Sequence, residues 1–236
     1  MKSYSKFLLV SAAILALLSC SKENPQSGDE SAMPVPELVD LGLSVKWGSF
    51  NIGATKPEEY GGHYQWAGTQ DVTDKSIHLD WDNCPYHTGL DYKTGWTKYI
   101  PSNEPSYWSG SGSPDNKTVL DPEDDVAHVK LGGKWRMPTI KEWSELINNC
   151  TSVWTELNGV KGMMFESKKN GNSIFLPAAG YRNYDDLLYV EEYGYYWSSS
   201  LSTIDPYFAC LLFHLDDVGT GDHYRYYGQS VRPVSE

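Results

Sequence analysis

The chain has 236 residues, with 31 acidic against 19 basic side chains and a formal net charge of −12. That balance excludes the basic surface on which phosphate-backbone binding rests, so no nucleic-acid partner is expected. Nine Trp and seventeen Tyr against six Phe give rings with polar tips, suited to a loop-rich core with satisfied N–H and O–H groups or to a gripping surface.

Lys2 and Lys6 precede an apolar run over residues 7–18 broken only by Ser11, and Ser19-Cys20 follows. This is the three-part pattern of an export signal, and its apolar run is well short of the roughly 20 residues that span a bilayer. Leu17-Leu18-Ser19-Cys20 resembles the lipobox read by lipoprotein signal peptidase, with Leu18 bulkier than usual. The resemblance makes Cys20 the acylated N-terminus of the mature chain, and no Ala-x-Ala-like secretory site competes with it. Residues 21–36 are polar with three prolines, a composition that cannot bury a core and behaves as a spacer. The expected organisation is a signal at 1–19, a tether at 20–36 and one domain at 37–236. Losing Lys2 and Lys6 leaves 17 basic against 31 acidic residues, a mature charge of −14.

The domain opens at residues 39–47 with two short strands around Gly42, and residues 51–57 form a turn. Residues 61–120, rich in Gly, Pro, Ser, Asp and Asn with isolated aromatics, read as long loops over short strands. Residues 122–130 predict a short helix with Asp121 as its cap and acids in its first turn complementing the dipole; Gly132-Gly133 ends it. Thr139-Ile-Lys-Glu142 is a capping box leading into Trp143, Leu146 and Ile147 at helical spacing, which predicts a helix over 140–149. Strands at 160–167 and 173–177 flank the turn signal Asn170-Gly171, and further strands lie at 195–199, 207–213 and 230–234. The pattern is α+β, with a mainly antiparallel sheet, two helices and long loops.

Cys84, Cys150 and Cys210 remain in the mature chain, an odd number with no Cys-x-x-Cys spacing, so at least one is unpaired and any single bridge among the three stays open.

Gly133-Lys-Trp-Arg-Met-Pro-Thr-Ile-Lys-Glu-Trp143, Leu176-Pro-Ala-Ala-Gly-Tyr-Arg182, Gly194-Tyr-Tyr-Trp-Ser-Ser-Ser200 and Ser230-Val-Arg-Pro-Val234, with the opening Val39-Asp-Leu-Gly-Leu-Ser-Val-Lys-Trp47, resemble the Fibrobacter succinogenes major paralogous domain family. That family is abundant among lipoproteins and surface proteins of Bacteroides relatives, and the resemblance covers nearly all of 37–236. Through it the chain is similar to the C-type lectin-like fold, in particular the branch of formylglycine-generating enzymes. Shared fold does not carry shared chemistry. Cys210 stands alone where the generating enzymes use paired cysteines, and the six histidines lack the His-x-x-x-His spacing of iron-dependent relatives. Glu104-Pro105-Ser106 only partly matches a calcium-lectin string.

No catalytic residue, metal or cofactor is therefore expected. Asp121, Glu123, Asp124 and Asp125 are read as a helix start and not as a calcium cluster, and His128 and Glu142 as structural. The functional signal is the last 56 residues, which hold ten of the seventeen Tyr and nine acids against three Arg. Tyr195, Tyr196, Trp197 and Tyr207 read as core or strand residues. Tyr184, Asp186 and Tyr189 are placed in one loop, Asp205 and Tyr207 in a second, and Asp216, Asp217, His223, Tyr224 and Tyr226 in a third. Tyr, Asp, Ser and Gly make rigid amphipathic contacts with adaptable hydrogen bonding, as in antibody loops. The expectation is a cell-envelope lipoprotein, on the periplasmic or outer face, that binds a protein or glycan through these loops. The rival readings are an assembly subunit of a surface complex and a glycan-acting enzyme using Asp216, Asp217 and Asp222.

Overall fold

The computed structural model describes residues 33–206, 208–213 and 218–236. The signal, Cys20 and nearly all of the tether lie outside these residues, as do Tyr207, Asp216 and Asp217.

β1 (Leu38–Val39) and β2 (Lys46–Gly48) pair antiparallel, with Val39 opposite Trp47. The chain then runs through loops to a hairpin of β3 (His87–Asp91) and β4 (Thr94–Trp96), as its Gly-, Pro- and Asp-rich composition predicts.

The first helix, α1 (Val126–Leu131), starts later than expected. Asp121 heads only a 3-10 turn over Pro122–Asp124 and makes no capping bond with its side chain. The cap is Asp125, which accepts from Ala127 N at 2.9 Å, His128 N at 3.1 Å and, across the chain, Met137 N at 2.7 Å. Gly132, at φ +68°, follows the last turn, a backbone conformation that costs glycine little. α2 (Ile140–Asn149) has the predicted capping box, and Arg136 grips Glu142 with two bonds of 2.8 and 2.6 Å. Trp143 and Leu146 are buried from its inner face.

β5 (Cys150–Leu157) leaves α2 directly and pairs along its whole length with β6 (Val160–Ser167), which pairs with β7 (Ser173–Pro177). Between β6 and β7, the side-chain amides of Asn170 and Asn172 each donate to Asp40 O at 2.8 Å, tying the turn to the start of the domain. β8 (Tyr181–Asn183) and β9 (Asp186–Leu188) form a short hairpin. β10 (Gly194–Tyr196), β11 (Phe208–Phe213) and β12 (Val218–Tyr224) form an antiparallel sheet in that order. β13 (Val234–Ser235) returns to β2, so the two ends of the domain close one sheet. The fold is α+β with antiparallel sheets.

Three buried clusters fill it. The first joins Trp47, Trp143, Leu146, Phe165, Leu176 and Tyr196, the second Tyr64, Trp66, Tyr99, Met137, Trp197 and Val231, and the third Val72, Leu79, Cys84, Trp96, Ile100 and Tyr226. Four of the five fully buried indoles use their N–H groups on carbonyls: Trp66 on Ser198 at 2.8 Å, Trp96 on Tyr92 at 3.0 Å, Trp143 on Trp197 at 3.3 Å and Trp197 on Tyr64 at 2.6 Å, while Trp47 Nε1 meets no acceptor among the described residues. Those bonds remove the desolvation cost that would oppose burying an indole. Arg232 of the terminal motif is fully buried and donates to Asn51 Oδ1, Gly48 O and Phe175 O at 2.9, 3.1 and 2.8 Å. Cys84 and Cys150 are buried free thiols, and burial pushes Cys84 up to about 12.

Candidate functional site

One buried arginine organises the surface that carries half of the expected site. Gly180 turns the chain into β8 at φ +64°, where a Cβ would collide with the Leu188 carbonyl. Two residues on, the guanidinium of Arg182 is fully buried and meets six carbonyls. Nη1 donates to Val72 O, Thr73 O and Asp74 O at 2.6, 3.1 and 2.7 Å. Nη2 donates to Ile77 O and Tyr184 O at 2.8 and 2.9 Å, and Nε to Asp186 O at 3.1 Å. The Arg182 backbone bonds Gly228 in both directions, at 2.7 and 3.0 Å. Arg182 thus fixes the 72–77 loop and the β8–β9 hairpin through its side chain and the strand end after β12 through its backbone. Only a planar fork with five N–H donors serves so many acceptors at once.

On this frame aromatic rings form a continuous cluster, of which Tyr92, Tyr184 and Tyr189 are exposed at the surface. Tyr184 and Tyr189 are each 47% exposed, and both hold left-handed backbone, at φ +49° and +59°. That conformation costs a residue with a Cβ roughly 1–2 kcal/mol, and such strain clusters at functional positions. From Tyr184 the rings run to Tyr226 at 5.9 Å, to Trp81 at 4.6 Å and on to Tyr224 at 5.4 Å and Tyr92 at 6.2 Å. On the other flank Tyr227 reaches Tyr181 at 5.0 Å, which stacks on Tyr189 at 6.0 Å and meets Tyr195 at 4.9 Å. His223 lies within this second group, 4.9 Å from Tyr195. Burial lowers its pKa to about 4, so the ring is neutral, and it contacts Gln229 Nε2 through Nδ1 at 3.0 Å.

The expected residues divide. Tyr184, Tyr189, His223 and Tyr224 join this face, and Asp186 is exposed beside it on β9. Tyr226 was expected to be exposed but is core, 4% accessible and packed with Leu79, Cys84 and Trp96. Burial raises its phenol pKa, and hydrogen bonding to Tyr184 adds to that. Residues 222–224 belong to strand β12 and not to a loop, and 181–188 form a hairpin, because each pairs with a neighbouring strand. Asp205 is engaged elsewhere, accepting from the Tyr107 hydroxyl at 2.7 Å. Asp222 lines a depression of about 190 Å³ with Ser198, Ser200, Thr203 and Thr220. The remaining expected residues, Tyr207, Asp216 and Asp217, fall outside the described residues, as does Cys20.

The sequence reading missed the half of the face supplied by residues 78–96, namely His78, Trp81 and Tyr92. Its one signal was four aromatics with two histidines in a loop otherwise built from turn residues. His78 joins the two halves: Nδ1 meets Asp185 Oδ1 at 2.7 Å, Nε2 meets Asp80 Oδ2 at 3.4 Å, and the ring lies 5.5 Å from Tyr184. The hydrogen bond to Asp185 raises its pKa.

The surrounding charge is acidic. Residues 78–96 carry Asp80, Asp82 and Asp91, residues 181–193 carry Asp185, Asp186, Glu191 and Glu192, and residues 222–227 carry Asp222. Against them stand Lys93 and the fully buried Arg182 and Arg225. Elsewhere, Asp121, Glu123 and Asp124 place acceptor atoms within 4.8 Å of one another. Lys98 Nζ sits among them, 2.6 Å from Asp121 and 2.5 Å from Asp124, with the rings of Tyr86 and Tyr99 at 5.1 and 5.0 Å. Burial opposes the Lys98 charge, but its bonds to Asp121 and Asp124 outweigh burial and raise its pKa.

Comparison with protein-family models, curated proteins and solved structures gave no match to this chain.

Proposed function

We propose that the protein is a cell-envelope lipoprotein, anchored through Cys20, whose C-type lectin-like domain binds a protein or glycan on its aromatic face without catalysis. The observation that carries this reading is the pair Tyr184 and Tyr189. Both are about half exposed and in contact with further rings, Tyr184 with Tyr226 and Tyr189 with Tyr181. Aromatic rings with polar tips present large contact area at little entropic cost. The family resemblance and the signal segment supply the envelope location, on an outer membrane of the Bacteroides type.

Two measurements test the reading. Palmitate labelling of expressing cells should tag the wild type and leave Cys20→Ser unlabelled and released from the membrane fraction. Glycan and host-protein arrays probed with the purified chain should give specific binding that the triple variant Tyr184→Ala, Tyr189→Ala, Tyr224→Ala loses. No binding by a folded chain that instead co-purifies with a constant partner would favour the assembly-subunit reading.

A further inference from the structure

We propose that the aromatic face receives a positively charged polypeptide segment of a partner protein, an arginine or lysine side chain lying on the rings with its tip held by the flanking carboxylates. This rests on the binding reading above and narrows its ligand to a basic protein segment.

Three observations lead there. The first is charge: the three segments that build the face carry eight acids against Lys93, two arginines that are fully buried, and His78, which bonds Asp80 and Asp185. Asp80 and Asp82 flank Trp81, and Asp185 and Asp186 follow Tyr184 directly. A carboxylate accepts hydrogen bonds and does not donate them. Such a rim suits a guanidinium or ammonium, which only donates, better than sugar hydroxyls, which do both. It also speeds encounter with a cationic partner.

The second is the chain's treatment of its own cations. The Arg225 guanidinium lies 4.0 Å from the centre of the Trp96 ring and 4.6 Å from that of Trp66. Lys98 sits over Tyr86 and Tyr99 while Asp121 and Asp124 hold its ammonium. Lys93 stands 5.5 Å from the Tyr92 ring. Tyr184, 47% exposed and followed directly by the exposed Asp185 and Asp186, presents the same combination of ring and carboxylates at the surface. Arginine, planar and weakly hydrated, stacks on rings better than lysine.

The third is His78, which holds Asp185 and Asp80 from opposite ends of one imidazole and so fixes two of the acids beside Tyr184. A rim positioned by side-chain bonds loses less freedom when it binds.

The test uses the full lipidated chain in detergent micelles. The probes are a fluorescent arginine-rich peptide, a lysine-rich peptide of equal length, an acidic peptide and a panel of neutral oligosaccharides. The variants are Tyr184→Ala, the pair Asp185→Asn with Asp186→Asn, and, as an equal charge change on the remote β5–β6 sheet, the pair Glu156→Gln with Glu166→Gln. The expected result is binding of the arginine peptide above the lysine peptide, weakening as salt rises. Tyr184→Ala and the Asp pair should each weaken it roughly tenfold, and the Glu pair should leave it unchanged. Equal weakening by the Glu pair, or none by Tyr184→Ala, overturns the inference as non-specific charge attraction. Oligosaccharide binding that depends on Tyr184 without peptide binding overturns the inference while the binding reading stands. No binding of any probe by a folded chain also overturns it, and the binding reading is then judged by cross-linking on cells.

Discussion

Replacing Arg182 should unfold the frame of the aromatic face before it disturbs anything else. Arg182→Met removes the guanidinium donor from six carbonyls, of which Asp74 O and Tyr184 O keep a backbone donor, Ile77 N and Leu79 N. Of these bonds only that to Val72 O is fully buried, and the other five are partly open to solvent. A buried acceptor left alone costs about 1–3 kcal/mol. The other five are re-satisfied by water or by the backbone donor they keep, at roughly half a kcal/mol each for the charge-assisted bond exchanged. The sum is about 4 kcal/mol, a large part of the roughly 5–15 kcal/mol that holds a domain of ordinary stability. Arg182→Lys keeps the charge but brings three donors on one atom, which cannot reach both ends of the fork, so it should recover less than half of the loss. Urea denaturation followed by tryptophan fluorescence gives both values. Limited proteolysis should find residues 72–78 as the first new cleavage region in either variant. A loss below about 1 kcal/mol for Arg182→Met, with no new cleavage there, would refute the clamp.

Acid should weaken the fold through two histidines. His63 and His223 are buried, and burial is the main cause that lowers both from the ordinary histidine value of 6.5 to about 4. The unfolded chain therefore takes up these protons first, and stability falls as pH drops from about 6.5 to about 4, by at most about 1.4 kcal/mol per pH unit for each ring. Urea midpoints should decline across that window and flatten in His63→Gln; a wild-type profile flat from pH 7 to pH 4.5 would contradict the assignment. The Asp125 carboxylate holds two helix N–H groups and Met137 N, so Asp125→Ala should cost about 2–3 kcal/mol. Asp121→Ala should leave α1 intact and act only through Lys98 and Lys117, and calorimetry of the two variants separates the roles. Tyr184→Gly and Tyr189→Gly relieve roughly 1 kcal/mol of backbone strain each while losing exposed ring contacts of similar size. Stability should stay within about 1 kcal/mol of wild type while binding is lost, and a drop of several kcal/mol would make both tyrosines structural.

What could be read from the sequence was local. The capping box at Thr139 and Glu142 states its helix in four residues, and α2 has those bounds. The start of α1 depended on which of four neighbouring acids caps it. Asp125 wins because its second oxygen also reaches Met137 N, twelve residues away, which no local rule contains. β5 was invisible because Thr151, Ser152 and Val153 are all exposed and show no alternation; the strand exists by pairing with β6. The same limit applies to the face. Tyr184, Tyr189 and Tyr224 stood out by composition, but Tyr226 was indistinguishable from them although its ring turns into the core. Trp81 and Tyr92 entered only when Arg182 brought the 72–77 loop onto the hairpin, a long-range contact between segments more than a hundred residues apart.

The central claim is that ligand meets this protein on the aromatic face, and site-specific photo-cross-linking on intact cells addresses it directly. A photoreactive amino acid is placed in turn at Tyr184, at Tyr189 and at Val153, which is 58% exposed on the β5–β6–β7 sheet. The account predicts the same cross-linked partner from positions 184 and 189 and none from 153. Capture from 153 with silence at 184 and 189 would place the binding surface elsewhere and contradict it.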